Sequence, residues 1–314
     1  MGRTEGYRHI KVKPIAGSLG AEIEGVDVNT MDAATFAEVK RAFAENLVIF
    51  FRGQDLTLKQ HEAFMARFGK MTLTYYVNPI EGSDYVARLL RHADAPVGGR
   101  NFGDHWHSDQ AIRERPPGCF SLYSVDCPPY GGDTMFSNSY LAYDFLSDGL
   151  KAMCDQLMVV FSSRVAYGGE GKGGGAQGSK PLALKGVENT FKISDEEMRK
   201  LAAREMEHPL VCIHPDTGKK YLFTTQNYSL RFKGWTEEES RPLLDYLHRW
   251  MERPDWTVRF PWSKGALALI DNRCCHHFAV NDYAGFRREM WRVEIEGNVP
   301  YGPARPLPTA QAAE

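Results

Sequence analysis

The sequence lacks the features that mark nucleic-acid-binding, membrane and secreted proteins. Its formal net charge is only −2, so no strong field attracts nucleic acid or an anionic membrane. No apolar run approaches the roughly 20 residues that a membrane-spanning helix needs. The N-terminal segment also has no apolar core of a signal peptide. We therefore expect a cytoplasmic protein that binds neither nucleic acid nor a membrane.

Cysteines are few and scattered. The chain has six of them and no CxxC pair, and the adjacent Cys274 and Cys275 can scarcely bond to each other. This pattern favours reduced, buried thiols over a disulfide framework.

Short apolar strands separated by Pro and Gly turns dominate the chain, and helical patterns are few. The pattern predicts a mainly β fold, a double-sheet β-roll with flanking helices. Predicted strands include residues 118–125, 134–137, 209–214, 221–225, 266–270 and 289–295. Capping boxes at Thr57/Gln60, Ser194/Glu197 and Thr236/Glu239 predict three helix starts. We find no repeat and no second core, so we predict one domain over residues 1–303.

Two segments do not fit regular structure. Residues 168–178 contain seven glycines, which indicates either a mobile lid over a site or a disordered surface loop. Residues 304–314 are rich in Pro and Ala, and we expect them to be a disordered tail.

The segment from Asp104 to Asp109 reads His-Trp-His-Ser-Asp after its first residue. If it is a strand, His107 and Asp109 point to the same face and can present an imidazole and a carboxylate to one ion. Taken alone, His107 and Asp109 could equally be polar residues that form hydrogen bonds within a core or a turn.

A distant second histidine strengthens the metal hypothesis. His277 follows the predicted buried strand 266–270. Two histidines and one carboxylate leave three positions open on an ion, which suits iron(II) that activates O₂. Catalytic zinc usually has three protein ligands and one open position. A zinc hydrolase and a non-catalytic metal-binding β-roll remain alternatives.

Arg288 and Arg292 lie in or beside the last predicted strand, and their even separation puts both on one face. The planar fork of an arginine on such a face can bind a carboxylate through two parallel hydrogen bonds. Surface arginines on an edge strand are the other interpretation.

Several ordered motifs make the chain resemble the taurine and phenoxyacetate-herbicide dioxygenases, the TauD/TfdA family of iron(II)/2-oxoglutarate oxygenases. The resemblance covers roughly residues 10–300, and its motifs are Leu19–Asp27, Trp106–Asp109, Gly131–Thr134, His208-Pro to His214-Pro, Asp271–Arg273 and Arg287–Arg292. It implies a double-stranded β-helix, also called a jelly roll and cupin-like.

The resemblance also implies the roles of site residues. His107, Asp109 and His277 would hold iron(II). Arg288 and the Thr134 hydroxyl would bind the far carboxylate of 2-oxoglutarate. Arg292, also assigned to the cosubstrate site, is expected near the metal-bound carboxylate and the acidic group of the substrate. His105 and His276, which adjoin the proposed ligands, are expected either to support those ligands from behind without contacting the metal or to lie on the surface.

The implied reaction uses O₂ and 2-oxoglutarate to hydroxylate an aliphatic C–H bond, with or without later cleavage, and releases succinate and CO₂. The substrate would be a small organic acid or aromatic compound. Asp109 stands where a related halogenase would have Gly or Ala, so we expect hydroxylation rather than halogenation. Family members often form dimers or tetramers, and we expect a homo-oligomer here.

The substrate positions depart from those of the taurine enzyme. Thr74 stands where that enzyme uses a histidine for the sulfonate, and Gly103 stands where it uses an asparagine for the amine. These differences argue against taurine. Tyr75, Tyr76 and Phe102 lie nearby in the sequence, where they either line a pocket for a larger or more apolar substrate or fill core.

Overall fold

The computed structural model describes residues 4–73, 78–95, 103–167, 187–189, 200 and 203–307. Several predictions fall on other residues. The lid near 168–178 and the candidate substrate residues Thr74, Tyr75, Tyr76 and Phe102 lie outside the described residues.

Strands account for most of the regular elements. They are β1 Lys11–Pro14, β2 Ala21–Glu24, β3 Val48–Phe51, β4 Met71–Thr72, β5 Ala87–Arg91, β6 Pro117–Asp126, β7 Thr134–Asn138, β8 Met158–Ser162, β9 Val187–Asn189, β10 Glu205–Pro209, β11 Val211–Ile213, β12 Lys220–Leu222, β13 Ser229–Phe232, β14 Thr257–Phe260, β15 Leu267–Asp271, β16 Cys275–Ala279 and β17 Arg288–Glu296. The helices are α1 Ala33–Asn46, α2 Leu58–Ala66, α3 Ser139–Asp144, α4 Asp148–Cys154, α5 Arg164–Tyr167 and α6 Glu237–Met251, with a 3₁₀ turn at Pro254–Trp256.

The largest sheet has nine strands. Its order is β1-β2-β3-β15-β6-β17-β5-β9, and β4 adds to β17. Its central strands are buried on both faces because each face has its own core. On β3, Ile49 and Phe51 join the core beneath α1 and α2, whereas Val48 and Phe50 join the larger core on the opposite face. This alternation follows from the two-residue period of a strand.

A three-stranded sheet of order β14-β7-β16 lies against the large sheet. Phe50 of β3 stacks on Phe260 of β14 with ring centroids 3.7 Å apart, and it meets Phe136 of β7 edge-on at 5.7 Å. Contacts between two such sheets bury apolar area and form the core of a sandwich-like roll. The prediction of a mainly β, double-sheet jelly roll is therefore confirmed.

Of the three predicted capping boxes, the one at Ser194/Glu197 lies outside the described residues, and the other two are present. Thr57 and Gln60 start α2, and Thr236 and Glu239 start α6. On α6, Leu244, Leu247 and Met251 are buried in the larger core, which anchors this helix to the roll. Among the helices of the described residues, none is long and apolar enough to cross a membrane.

Two sequence-based expectations need correction. Residues 104–109 form a loop rather than a strand, with only an isolated bridge at His107, because the chain turns at Gln110, whose φ is +53°. The expected tail disorder does not begin at residue 304. Arg305 exchanges backbone hydrogen bonds with Gly302 and donates to the Glu207 carbonyl at 2.8 Å. Residues 308–314 lie outside the described part of the chain.

Candidate metal centre

His107 and His277 are joined through their backbones. The His107 N–H donates to the His277 carbonyl at 3.1 Å, and the His277 N–H donates to the His107 carbonyl at 2.9 Å. The two ring centroids are consequently only 4.0 Å apart. This bridge attaches the loop at 103–112 to β16 of the smaller sheet. The two histidines proposed from distant motifs therefore lie side by side.

The orientation of the His107 ring is set by its own loop. Its Nδ1 lies 2.7 Å from the carbonyl of His105, which can only accept, so Nδ1 carries the proton. The other ring nitrogen, Nε2, is then left with its lone pair and lies 3.7 Å from Asp109 Oδ1. Burial, and next the neighbouring His277, hold the pKa of His107 well below its usual value. The imidazole is thus a neutral potential ligand.

Asp109 completes a cluster of three potential ligands. One nitrogen or oxygen atom each from His107, Asp109 and His277 lies within 4.8 Å of the others. Burial would raise the pKa of Asp109, but the charges of Arg292 and His277 outweigh it and hold that pKa well below its usual value. Two imidazole nitrogens and an ionised carboxylate fit a ferrous ion.

The Asp109 backbone is held by Asn272, which lies between β15 and β16. The Asp109 N–H donates to Asn272 Oδ1 at 2.8 Å, and Asn272 Nδ2 donates to the Asp109 carbonyl at 3.1 Å. Asn272 also donates to the Pro117 carbonyl of β6 at 2.9 Å. One amide side chain therefore ties the loop to the large sheet.

Arg292 of β17 extends from the large sheet to the cluster. Its Nη2 donates to Asp109 Oδ2 at 2.6 Å and forms an ion pair with Glu294 Oε1 at 2.9 Å. Its guanidinium carbon lies 4.2 Å from the ring centroid of Phe120, which also contacts His277 with ring centroids 5.0 Å apart. Arg292 thus contacts Asp109, one of the three potential metal ligands.

Arg288 lies four residues before Arg292 on β17 and is buried. Its Nε donates to the Gly132 carbonyl at 3.0 Å, and its guanidinium carbon is about equally far from Trp262, at 6.0 Å, and Tyr283, at 5.9 Å. Trp262 Nε1 in turn donates to the hydroxyl of Thr134 at 2.9 Å. Trp262 therefore lies between Arg288 and Thr134, the two residues that the family resemblance assigns to the far carboxylate of 2-oxoglutarate.

The Gly131–Gly132 pair makes room for this arrangement. Both residues have positive φ, +75° and +68°. A Cβ on Gly131 would lie 2.7 Å from Asp282 Oδ1, and a Cβ on Gly132 would lie 3.2 Å from Arg288 Cδ. Only glycine combines this backbone with such close neighbours.

Gly103 is the one candidate substrate residue that the structure describes. Its φ is +71°, and a Cβ built there would lie 2.9 Å from His107 Cε1. Gly103 also accepts a hydrogen bond from the Ala279 N–H at 2.7 Å. It is therefore packed directly on a proposed metal ligand.

The neighbouring histidines differ in position. His105 lies beside His107, with ring centroids 5.1 Å apart. His276 is buried, so the surface interpretation is wrong for it. Burial and the nearby His248 lower the pKa of His276 to about 3.

A second group of potential ligands occurs among the described residues, at His214, Asp271 and Cys274. Arg273 already binds this group, because its Nη2 donates to Asp271 Oδ2 at 2.7 Å, and His214 Nε2 lies 2.9 Å from the same oxygen. A cation would have to displace the arginine. We interpret the group as a buried ion-pair network beneath Asn272.

Sequence reasoning did not assign roles to Asn272, Glu294 or Gln110. Asn272 lies within a motif that was recognised, and a buried amide next to a turn is a usable signal. Glu294 is separated from Arg288 and Arg292 by even numbers of residues. The alternation of side chains along a strand therefore predicts that all three lie on the same face. Nothing in the residue type predicts the positive φ of Gln110.

Comparisons with known proteins extend over almost the whole chain. A family model described as "Taurine catabolism dioxygenase TauD, TfdA family" matches residues 11–293. An alkylsulfatase from Acinetobacter baylyi is 32% identical over 297 residues, which cover 94% of this chain and 87% of that protein. An alpha-ketoglutarate-dependent sulfate ester dioxygenase from Pseudomonas putida is 33% identical over 298 residues, which cover 93% and 91%. The crystal structure of a taurine dioxygenase from Burkholderia xenovorans superposes with a TM-score of 0.75 at 32% identity and covers 94% of each chain.

Proposed function

The chain belongs to the TauD/TfdA family and is a 2-oxoglutarate-dependent non-haem iron dioxygenase, and from this premise we propose which of its residues do the chemistry. His107, Asp109 and His277 hold the iron(II). The observation that carries this assignment is the approach of their ligand atoms to within 4.8 Å of one another. Three protein ligands leave positions for 2-oxoglutarate and O₂.

Arg288 and Thr134 bind the far carboxylate of 2-oxoglutarate in this proposal. The Arg288 guanidinium is buried, and a buried guanidinium favours an anionic partner. The Thr134 hydroxyl accepts a hydrogen bond from Trp262, so its own hydrogen remains available to donate to the carboxylate.

Arg292 receives the anionic group of the substrate. Its place next to Asp109 supports this role, because an anion bound there would present its neighbouring carbon to the metal. The names of the two relatives that are 32% and 33% identical support a sulfate ester as that anionic group.

Iron with 2-oxoglutarate and O₂ supplies an oxidant that inserts one oxygen atom into a C–H bond. On an alkyl sulfate, hydroxylation of the carbon next to the ester oxygen gives a hydroxylated ester. That ester loses the hydroxyl proton and its C–O bond to sulfate, which yields an aldehyde and hydrogen sulfate. The protein orients the carbon, and its buried surroundings exclude water.

Taurine does not fit this site. A Cβ at Gly103 would meet His107, so no side chain can reach from there to an amine. Thr74 stands where the taurine enzyme has its sulfonate-binding histidine. We propose that Tyr75, Tyr76 and Phe102 line the pocket for the carbon chain, which suits an alkyl or aryl group.

The proposal also covers the organisation of the protein. Residues 1–303 form one catalytic domain, residues 168–178 act as a lid, and the chain assembles into a cytoplasmic homodimer or homotetramer. The role of the lid is tested by shortening residues 168–178. If turnover and uncoupled 2-oxoglutarate consumption are both unchanged, this segment is not a lid.

The direct test is succinate release by the iron-loaded enzyme across alkyl sulfates, sulfonates, aryloxyalkanoates and amino-acid derivatives. We expect the highest kcat/KM with an alkyl sulfate and equal amounts of succinate and aldehyde. Exclusive turnover of taurine would refute the substrate assignment. Of the alternatives left open by the sequence, a zinc hydrolase and a non-catalytic metal-binding protein are both excluded by the family to which the chain belongs.

A further inference from the structure

A second carboxylate, Glu294, lies beside the arginine that is proposed to bind the substrate. Its side chain is buried, and its Oε1 forms an ion pair with Arg292 Nη2 at 2.9 Å. The same nitrogen donates to Asp109 at 2.6 Å. Arg292 Nη2 therefore lies close to two carboxylates, one of which is that of the proposed metal ligand Asp109.

Glu294 is held in place from the opposite side by Gln110. Gln110 Nε2 donates to Glu294 Oε2 at 2.6 Å, and Gln110 Oε1 accepts from Arg113 Nη1 at 3.1 Å. Gln110 is itself buried and adopts a φ of +53°, which a non-glycine residue rarely adopts. The protein thus uses a strained residue to fix a carboxylate next to Arg292.

The charges explain what this arrangement does to an incoming anion. When the metal engages Asp109, Glu294 remains as the carboxylate paired with Arg292. An anion that contacts the same guanidinium comes within a few ångströms of Glu294 and is repelled by it. Each additional negative charge on the anion increases this repulsion, and in a buried site the effect amounts to about tenfold or more in affinity.

We propose that Glu294 is a specificity-determining residue that lets the Arg292 site accept a monoanion, such as a sulfate ester, and reject a dianion, such as a phosphate monoester. The two groups are alike in shape and differ mainly in charge near neutral pH, because the second pKa of a phosphate monoester is about 6. This inference rests on the proposed role of Arg292 as the binding site of the substrate anion.

The test compares hexyl sulfate with hexyl phosphate at about pH 8, where the phosphate is a dianion. Binding is measured by calorimetry on anaerobic enzyme loaded with iron(II) and 2-oxoglutarate. We expect the wild type to bind hexyl sulfate at least about tenfold more tightly than hexyl phosphate, and Glu294→Gln to reduce that ratio by about tenfold, mainly through tighter phosphate binding.

Two further variants separate a charge effect from a general loss of structure. Glu294→Asp retains the charge and should retain most of the discrimination. Glu296→Gln removes a carboxylate from the same strand that pairs with the exposed Lys70 at 2.9 Å, and it should leave the ratio at the wild-type value. Circular dichroism confirms that each variant is folded, and if Glu294→Gln does not fold, the Glu294→Asp ratio decides.

The outcomes distinguish this inference from the proposed function. An unchanged ratio in Glu294→Gln, loss of the preference in Glu294→Asp, or absence of any anion binding overturns the role of Glu294. If hexyl sulfate binds with the expected ratios but yields no succinate, the assigned substrate is wrong while the charge selection by Glu294 stands.

Discussion

His107 and His277 exchange two backbone hydrogen bonds, at 3.1 and 2.9 Å, and this pairing sets the separation of their rings. The rings are thus positioned by main-chain geometry rather than by side-chain contacts alone. A substitution of either imidazole can therefore remove a ligand while the bridge remains, since the bridge needs no side chain. This property makes the metal assignment straightforward to test.

Replacing His107 by Ala should lower iron(II) affinity by at least about a hundredfold, because one of three ligands is lost. His105→Ala is the matched control, since it removes a neighbouring imidazole but keeps the carbonyl that accepts from His107 Nδ1. Metal content after dialysis against a weak chelator measures the difference. Retention of iron by His107→Ala together with its loss from His105→Ala would reverse the assignment.

Arg288→Lys should raise the KM for 2-oxoglutarate by about ten- to a hundredfold, because an ammonium cannot reproduce the two parallel hydrogen bonds of a guanidinium. The adjacent Arg287→Lys provides the control. Arg287 is 41% exposed and pairs with Asp126 at 2.7 Å on the surface, so its substitution should leave this KM unchanged. Initial rates of succinate formation at varied 2-oxoglutarate give both values, and equal effects of the two substitutions would contradict the role of Arg288.

Gly103→Ala should reduce iron affinity as well as stability. The new Cβ would lie 2.9 Å from His107 Cε1, so the imidazole must move away from its present position. Gly82→Ala is the control for backbone strain alone, because Gly82 has a φ of +85° and nothing within 4 Å of its Cβ position. Both variants should lose roughly 1 kcal/mol of stability, but only the first should lose metal. Iron binding at wild-type affinity in Gly103→Ala would show that the loop has room to adjust.

Asp271→Asn should destabilise the fold by about 3–5 kcal/mol, because it leaves the buried part of Arg273 without its carboxylate. Asp126→Asn, at a carboxylate that is 43% exposed, should cost no more than about 1 kcal/mol. Urea unfolding measures both free energies. A loss below 1 kcal/mol for Asp271→Asn would mean that the network contributes little.

The Asp271 carboxylate should also make the stability of the fold depend on pH. Burial opposes ionisation of Asp271, yet Arg273 and His214 hold its pKa below the usual value. A depressed folded-state pKa means that the unfolded chain takes up the proton first as the pH falls. The stabilisation from Asp271 is therefore complete above about pH 4 and is lost progressively below it. Unfolding free energies of the wild type should fall more steeply below this pH than those of Asp271→Asn, and parallel curves would contradict the assignment.

Much of the fold was predictable because its signals are local. The capping boxes at Thr57 and Thr236 and the buried strand at 266–270 depend on neighbouring residues, and the structure has all of them near the expected positions. The segment 104–109 was misassigned because His-Trp-His-Ser-Asp imitates the two-residue period of a strand. Its real path is set by the bridge to His277 and by the turn at Gln110, which are contacts that no local pattern encodes.

Within the candidate site, residue types with distinctive chemistry were easier to predict than their supports. Residue type and spacing suggested His107, Asp109 and His277 as metal ligands, whereas their choice over His105 and His276 and the place of Arg292 came from the resemblance to the family. Glu294 lies on the same strand face as Arg292, but its partner Gln110 belongs to a loop of irregular path. Networks of this kind depend on tertiary contacts and become visible only in three dimensions.

Strand β17, which carries Arg288 and Arg292, is inserted between β6 and β5, two strands that occur much earlier in the chain. The ribosome therefore delivers both flanking strands long before the strand that joins them. Until β17 enters, the large sheet is split at this point, and the two arginines that we propose to bind the cosubstrate and the substrate are not yet in place. Completion of the large sheet therefore depends on a pairing between strands that are far apart in sequence, and contacts of this kind form slowly during folding.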